Sequence, residues 1–162
     1  MTAVHRKFDR PAVDMSGISV LVTGGTGSFA RAFVDTLLTK NAPRRLVVFS
    51  RDEQKQDTMA REIAAAHPNA ADRMRYFIGD VRDLSRLELA MRDIDYVVHA
   101  AAIKIIPIAE YNPFETILTN VHGAENVVKA SLRNGVKKVV ALSTDKAANP
   151  INLYGASKLA SD

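Results

Sequence analysis

Ile18-Ser19-Val20-Leu21-Val22-Thr23-Gly24-Gly25-Thr26-Gly27-Ser28-Phe29-Ala30 is the stretch that decides the fold. A β-branched run reads as a buried strand. Beyond it, Phe29, Phe33, Val34, Leu37 and Leu38 recur at helical spacing. A strand therefore turns through glycines straight into a helix. Glycines let the backbone turn sharply and come close to a pyrophosphate, and the helix N-terminus behind them offers unpaired N–H groups to an anion. Ala30 has the small side chain that close helix–strand packing needs. A tight turn with no ligand would use the same glycines, but the flanking strand and helix favour the nucleotide-binding reading.

Outward from this point the chain alternates short apolar runs with helical patterns. Further strands are expected at 46–49, 75–78, 95–98 and 138–142. Helices are expected over 52–67, ended by Pro68, and over 83–92, with Leu84, Leu87 and Met91 on one face. A loop of small and apolar residues follows the fourth strand. Asn112-Pro113-Phe114-Glu115 reads as a capped helix start with a capping box. Ile117, Val121, Ala124, Val128 and Leu132 form that helix's expected buried stripe, and Asn134-Gly135 ends it. A last helix starts at Asn152. Strands that are apolar throughout and separated by helices imply a parallel sheet covered on both faces. The expected class is α/β: a Rossmann-like, doubly wound sheet of about five strands, with ligands at the strands' C-terminal ends. Residues 1–17, with Pro11 and mixed charges, read as a polar N-terminal extension, and 18–162 as one nucleotide-binding domain.

Composition narrows the function classes. The chain has 162 residues, 47% hydrophobic and 25% charged, as ordinary globular domains do. With no cysteine there is no disulfide, cysteine–zinc site or thiol nucleophile. The net charge of +4 suits a polyphosphate ligand, and without a Lys/Arg-dense tract it does not point to nucleic acid. No apolar run reaches membrane-spanning length and the first residues lack a secretion signal, so the expectation is a cytoplasmic protein without membrane contact.

The end of the second strand bears on cofactor choice. An acidic residue there suits a ribose 2′-hydroxyl and a basic one a 2′-phosphate. Ser50 and Arg51, with Lys55 nearby, favour NADP; NAD is the alternative if Asp52 faces the ribose. Asp52 and Glu53 also suit a helix N-terminus. Asp80, ending the third strand, reads equally as an adenine-edge contact or a turn residue. Near the other end, Tyr154 and Lys158 are four apart and share a helix face. An ammonium beside a phenol favours the phenolate, which can take a proton from an alcohol. Asp145 and Lys146, taken alone, read as a surface ion pair. His99 reads as a packed strand-end histidine, since no second metal ligand has suitable spacing.

Together these motifs resemble the extended short-chain dehydrogenases/reductases. Phe49-Ser50-Arg51-Asp52-Glu53, Gly79-Asp80-Val81-Arg82-Asp83, Ala109-Glu110-Tyr111-Asn112-Pro113-Phe114-Glu115 and the run from Leu142 through Tyr154 to Lys158 resemble, more narrowly, the inverting UDP-N-acetylglucosamine 4,6-dehydratases that begin pseudaminic acid synthesis in bacteria. The resemblance covers nearly everything after Gly17. It implies cofactor contacts from Thr23, Gly24, Thr26, Gly27, Ser28, Phe29, Ser50, Arg51, Lys55, Asp80, Val81, Ala100, Ala101, Ala102, Lys104, Asn120, Tyr154 and Lys158. It implies oxidation at sugar C4 by Tyr154 and Lys158, with Thr144 on the C4 oxygen and Asn120 supporting the lysine through water. Lys146 would be the base at C5 and Asp145 the acid for the leaving hydroxyl. UDP-N-acetylglucosamine or a related UDP-sugar is the implied substrate, and a homo-oligomer the implied assembly. Alternatives are a UDP-sugar 4-epimerase, which has no need of the Asp–Lys pair, and a non-catalytic NADP-binding module. Two features depart from the family. Ala30 stands for the usual third glycine, and Ile105 follows Lys104 where a polar residue is usual. The resemblance also implies further strands and a C-terminal substrate domain beyond residue 162, so the isolated chain is expected to be a poor enzyme.

Overall fold

The computed structural model describes residues 13–162. Among them, five strands form one parallel sheet in the order β3-β2-β1-β4-β5: β1 Ser19–Thr23, β2 Arg45–Ser50, β3 Met74–Ile78, β4 Tyr96–His99 and β5 Lys138–Ala141. The chain winds outward from β1 through β2 to β3, then returns past β1 to β4 and β5. The strand order therefore reverses between β1 and β4, and the crevice where ligands bind in such sheets lies beyond their C-terminal ends.

Alternation along the strands separates the core into two layers. Val20, Val22, Leu46 and Val48 point to one face, under helices α1 (Ser28–Lys40) and α2 (Glu53–Ala66). Leu21, Val47, Phe49 and Val97 point to the other, under α3 (Leu84–Ala90) and α6 (Gly123–Arg133). β1, β2 and β4 are buried along most of their length because both of their faces are covered, whereas the edge strand β5 is exposed. The doubly wound expectation holds. Residues 1–12 of the expected N-terminal extension lie outside the described residues. Its end is tied down: Met15 packs on the first layer, and the Gly17 N–H donates to the Ala42 carbonyl at 2.8 Å.

The segment after β4 departs from the sequence reading in three ways. First, the expected loop contains a short helix, α4 (Ile106–Tyr111). Second, the capping box at Asn112 does not form. The Asn112 side chain turns back and donates to the Ile108 carbonyl at 3.0 Å, closing α4, while Glu115 reaches away to Arg82 at 2.6 Å. Third, the long helix is not uniform. It begins as α5 (Pro113–Ile117), passes through a π-helical turn at Leu118–His122, and continues as α6. The wider turn shifts the face that follows. The buried residues are Thr116, Thr119, Asn120, Gly123, Val127, Ala130 and Ser131, whereas Val128 and Leu132 of the expected stripe are 51% and 77% exposed. Small residues are needed on the inner face. A Cβ added at Gly123 would meet Val81 Cγ2 at 2.7 Å.

Candidate functional site

Two adjoining hollows run along the C-terminal edge of the sheet. The outer one, about 320 Å³, lies between the glycine loop, the ends of β2 and β3, and Ala100–Ala102 after β4. The inner one, about 200 Å³, shares that loop and those alanines and extends to Leu142, Ser143, Tyr154 and Lys158. Together they form one open cleft across the strand-order switch.

The glycine loop is shaped by close approach. Gly24 has φ +62°, and a Cβ there would stand 2.8 Å from the Ala101 backbone nitrogen. Only glycine permits both the left-handed backbone and the contact. Gly27 lies at the start of α1, and the helix N-terminus opens toward the cleft. Ala30 is fully buried, so the departure from a third glycine is accommodated by a methyl group. Thr26 lines the outer hollow, and Ser28 and Phe29 the inner one. Thr23 does not face the cleft. It is fully buried, its hydroxyl lies 2.7 Å from His99 Nδ1, and it accepts the Ala100 and Ala101 N–H groups at 3.2 and 3.3 Å. It ties the glycine loop to the loop after β4.

At the outer end, Ser50, Arg51, Lys55, Asp80 and Val81 all line the hollow. Asp52 is the N-cap of α2. Its carboxylate accepts the Lys55 N–H at 3.0 Å and pairs with Lys55 Nζ at 3.1 Å. Asp52 thus caps the helix, and it also lines the outer hollow beside Arg51. Gln56, which the sequence reading passed over, is buried and donates to Ser50 Oγ and to the Ser50 and Phe77 carbonyls, fixing the ends of β2 and β3. Asp80 accepts from Arg82 Nε and Nη2 at 3.0 and 2.8 Å. Burial pushes the Asp80 carboxyl up, but the hydrogen bonds and charge of Arg82 outweigh it and hold the group below its ordinary range.

At the inner end, helix α7 (Leu153–Ser161) carries Tyr154 and Lys158. Asn152 caps it, accepting the Gly155 N–H at 2.8 Å, and Glu110 of α4 accepts the Leu153 N–H at 2.7 Å. Lys158 is buried, which lowers its pKa against a smaller opposing pull from Asp162. Before α7, a 3-10 turn (Asp145–Ala147) is capped by Thr144, whose hydroxyl accepts the Lys146 N–H and donates to Asp145 Oδ1 at 3.0 Å. Lys146 Nζ lies 3.3 Å from the same oxygen. Thr144 first, then Lys146, keep the Asp145 carboxyl below its usual range. Gly155 rests directly on the Lys146 carbonyl, leaving no room for a Cβ. The Asp145–Lys146 turn and the Tyr154 helix are therefore one packed unit.

Asn120 links this unit to the loop after β4. It sits in the π-helical turn, accepts from Ile103 N–H at 2.8 Å, and donates to the Ile103 carbonyl and to Ser157 Oγ, each at 2.9 Å. Its bonds go to these partners rather than to Lys158. Its neighbour Thr119 lines the outer hollow with a buried hydroxyl that has no protein partner. Such a group is costly unless something in the cleft meets it. Lys104 lines both hollows. His99 is buried, and that burial, with the charge of Lys158, lowers its pKa to about 4, so it is neutral. Among the described residues no cluster of side chains is suited to a metal ion, and no helix is long and apolar enough to cross a membrane.

Residues 20–162 match the family model described as polysaccharide biosynthesis protein. An inverting UDP-N-acetylglucosamine 4,6-dehydratase of Campylobacter jejuni subsp. jejuni serotype O:23/36 (strain 81-176) is 56% identical over 147 residues, covering 91% of this chain and 42% of the relative. A UDP-glucose 4-epimerase of Rickettsia akari (strain Hartford) is 47% identical over 143 residues, covering 86% of this chain and 40% of the relative. Among solved structures, DesIV, a dTDP-glucose 4,6-dehydratase from Streptomyces venezuelae with NAD and TYD bound, superposes with a TM-score of 0.76 at 26% identity, covering 89% of this chain and 49% of that one. The chain spans about two fifths of the length of the curated relatives it matches.

Proposed function

Because the chain belongs to the polysaccharide biosynthesis protein family, we propose that it forms the cofactor-binding and catalytic portion of an inverting UDP-N-acetylglucosamine 4,6-dehydratase. The observation that carries this reading is the packing of Gly155 on the Lys146 carbonyl. It holds the Asp145–Lys146 pair, which a dehydration needs, against the helix that carries Tyr154 and Lys158.

The cleft fits a dinucleotide. The glycine loop is a cradle that a Cβ at Gly24 would fill, the N-terminus of α1 can take the pyrophosphate, and the Thr119 hydroxyl awaits a partner. Arg51 and Lys55 at the outer end favour NADP over NAD. When bound, the nicotinamide accepts the hydride from sugar C4 and returns it to C6. Tyr154 takes the proton of the C4 hydroxyl, and the positive charge of Lys158 favours the phenolate that does so. Thr144 hydrogen-bonds the C4 oxygen. With a carbonyl at C4 the C5 proton is acidic, and Lys146 removes it. Asp145 protonates the hydroxyl leaving C6. In the free chain Thr144 and Lys146 hold the Asp145 carboxyl below its usual range, and Lys146 Nζ faces Asp145 Oδ1. Passage of a proton from Lys146 to Asp145 as the substrate binds supplies both the free amine that takes the C5 proton and the acid that protonates the leaving hydroxyl. Asn120 acts on the chemistry as a positioning residue, through Ile103 and Ser157.

A UDP-sugar 4-epimerase is the second reading, favoured by the 47% identity to the Rickettsia akari enzyme. In an epimerase Tyr154 and Lys158 would work as described, and Asp145 and Lys146 would be idle. The two readings separate on product. The whole polypeptide incubated with UDP-N-acetylglucosamine should release a 4-keto-6-deoxy sugar nucleotide, seen by NMR. A C4 epimer that keeps its C6 hydroxyl would replace this reading with the second. No conversion of any UDP-sugar would leave a binding module.

A further inference from the structure

Asp80 lies between two arginines, and they are not equivalent. Arg82 donates Nε and Nη2 to Asp80 Oδ2 at 3.0 and 2.8 Å, and its backbone N–H to Oδ1 at 2.9 Å. Its remaining edge, Nη1, donates to Glu115 Oε2 at 2.6 Å. Arg51 Nη1 stands 3.5 Å from the same Oδ2. A carboxylate oxygen has about two lone-pair sites, and Arg82 takes both on Oδ2. Arg51 is thus held at Oδ2 as a long ion pair and not as a hydrogen bond. Arg82 does not line the cleft, whereas Arg51 and Asp80 do.

We propose that Arg82 is a positioning residue that sets cofactor preference: by filling Oδ2 of Asp80, it keeps the Arg51 guanidinium available to a phosphate on the adenosine ribose 2′ oxygen. Without Arg82, both lone-pair sites on Oδ2 of Asp80 open to Arg51, and the long ion pair can tighten. The two form a charge-assisted hydrogen bond, and a 2′-phosphate must break it to bind. A ribose with a free 2′-hydroxyl pays no such cost, so the loss falls on NADP and spares NAD. Glu115 braces Arg82 from α5, which places a determinant of cofactor choice on an element far along the chain from the β2 end.

The inference rests on the reading of Arg51 as the group that meets the 2′-phosphate, and the test separates the two. Dissociation constants for NADP and NAD are measured by calorimetry on the whole polypeptide and its variants. Arg82→Gln should lower the NADP-to-NAD affinity ratio about fivefold, the size of an exposed ion pair's effect. Asp80→Asn in the Arg82→Gln background should restore the ratio, because it removes the competitor for Arg51. A merely structural role for Arg82 would not be rescued by a second substitution. Glu115→Gln, at an exposed site, should shift the ratio the same way by less, and supplies the test if Arg82→Gln does not fold. Asp80→Asn alone should leave the ratio unchanged or raise it. If Arg82→Gln keeps the ratio while Arg51→Glu collapses it, the positioning role is overturned and the reading of Arg51 stands. If Arg51→Glu leaves the ratio unchanged, both fall.

Discussion

His99 shows how one buried side chain couples the site to pH. It is 3% exposed, held to the Thr23 hydroxyl, and its pKa is lowered from 6.5 to about 4 by burial and then by Lys158. The unfolded chain takes up the proton first as pH falls, so the stability owed to a neutral His99 is whole above pH 6.5. It is lost progressively between 6.5 and about 4, at up to about 1.4 kcal/mol per pH unit. His99→Gln should flatten that part of the stability profile, as denaturant unfolding at pH 7 and pH 4.5 would record; an unchanged slope would assign it to other groups. At the other end of the cleft, Arg51→Glu should weaken NADP selectively and spare NAD, and an equal loss of both would contradict phosphate recognition. The glycine loop, Arg51, Tyr154 and Lys158 were legible in the sequence because each is a residue type tied to a position in a strand–turn–helix pattern. Thr119, Gln56 and Glu110 were not. A threonine, a glutamine and a glutamate on helices carry no local mark that Thr119 lines the cleft or that Gln56 and Glu110 bond to residues distant in the chain.

At the scale of elements, α7 and the turn before it depend on one contact. Gly155→Ala would press a methyl group into the Lys146 carbonyl and force the Asp145–Lys146 turn away from Tyr154. Overpacking of this kind costs about 1–3 kcal/mol. The variant should lose dehydration more than cofactor binding, measured as turnover against NADP affinity. Parallel losses would mean that Gly155 serves folding alone. Strand positions were readable from short, mainly β-branched and apolar runs, and the caps at Asn152 and Asn134 from their residue types. The face of the long helix was not readable, because the π-helical turn at Leu118–His122 breaks the 3.6-residue period on which the prediction rested. The same turn buries Thr119 and Asn120 beside the cleft, so the misread segment is one that borders it. Asn112 failed as a cap for a related reason. A helix already stood before it, and its amide closes that one.

For the molecule as a whole, the described residues leave surfaces uncovered. Val139 and Val140 of the edge strand β5 are 37% and 49% exposed, and Leu132 on α6 is 77% exposed. An exposed apolar edge strand pairs readily with another chain. The 162-residue chain alone should therefore self-associate in sedimentation experiments and turn over poorly, and a monodisperse, fully active monomer would contradict this. The central claim is that Lys146 and Asp145 make this cleft a site of dehydration rather than epimerisation. Its most direct test is C5 proton exchange from UDP-N-acetylglucosamine in deuterated water, followed by NMR, with Lys146→Ala in a polypeptide that carries the C-terminal portion the relatives have. Loss of a general base typically costs ~10²–10⁴-fold. The variant should lose C5 exchange by that factor while Tyr154 and Lys158 still allow the nicotinamide to be reduced. Exchange at the unmutated rate would show that Lys146 is not the base and that the Asp–Lys pair does not carry the elimination.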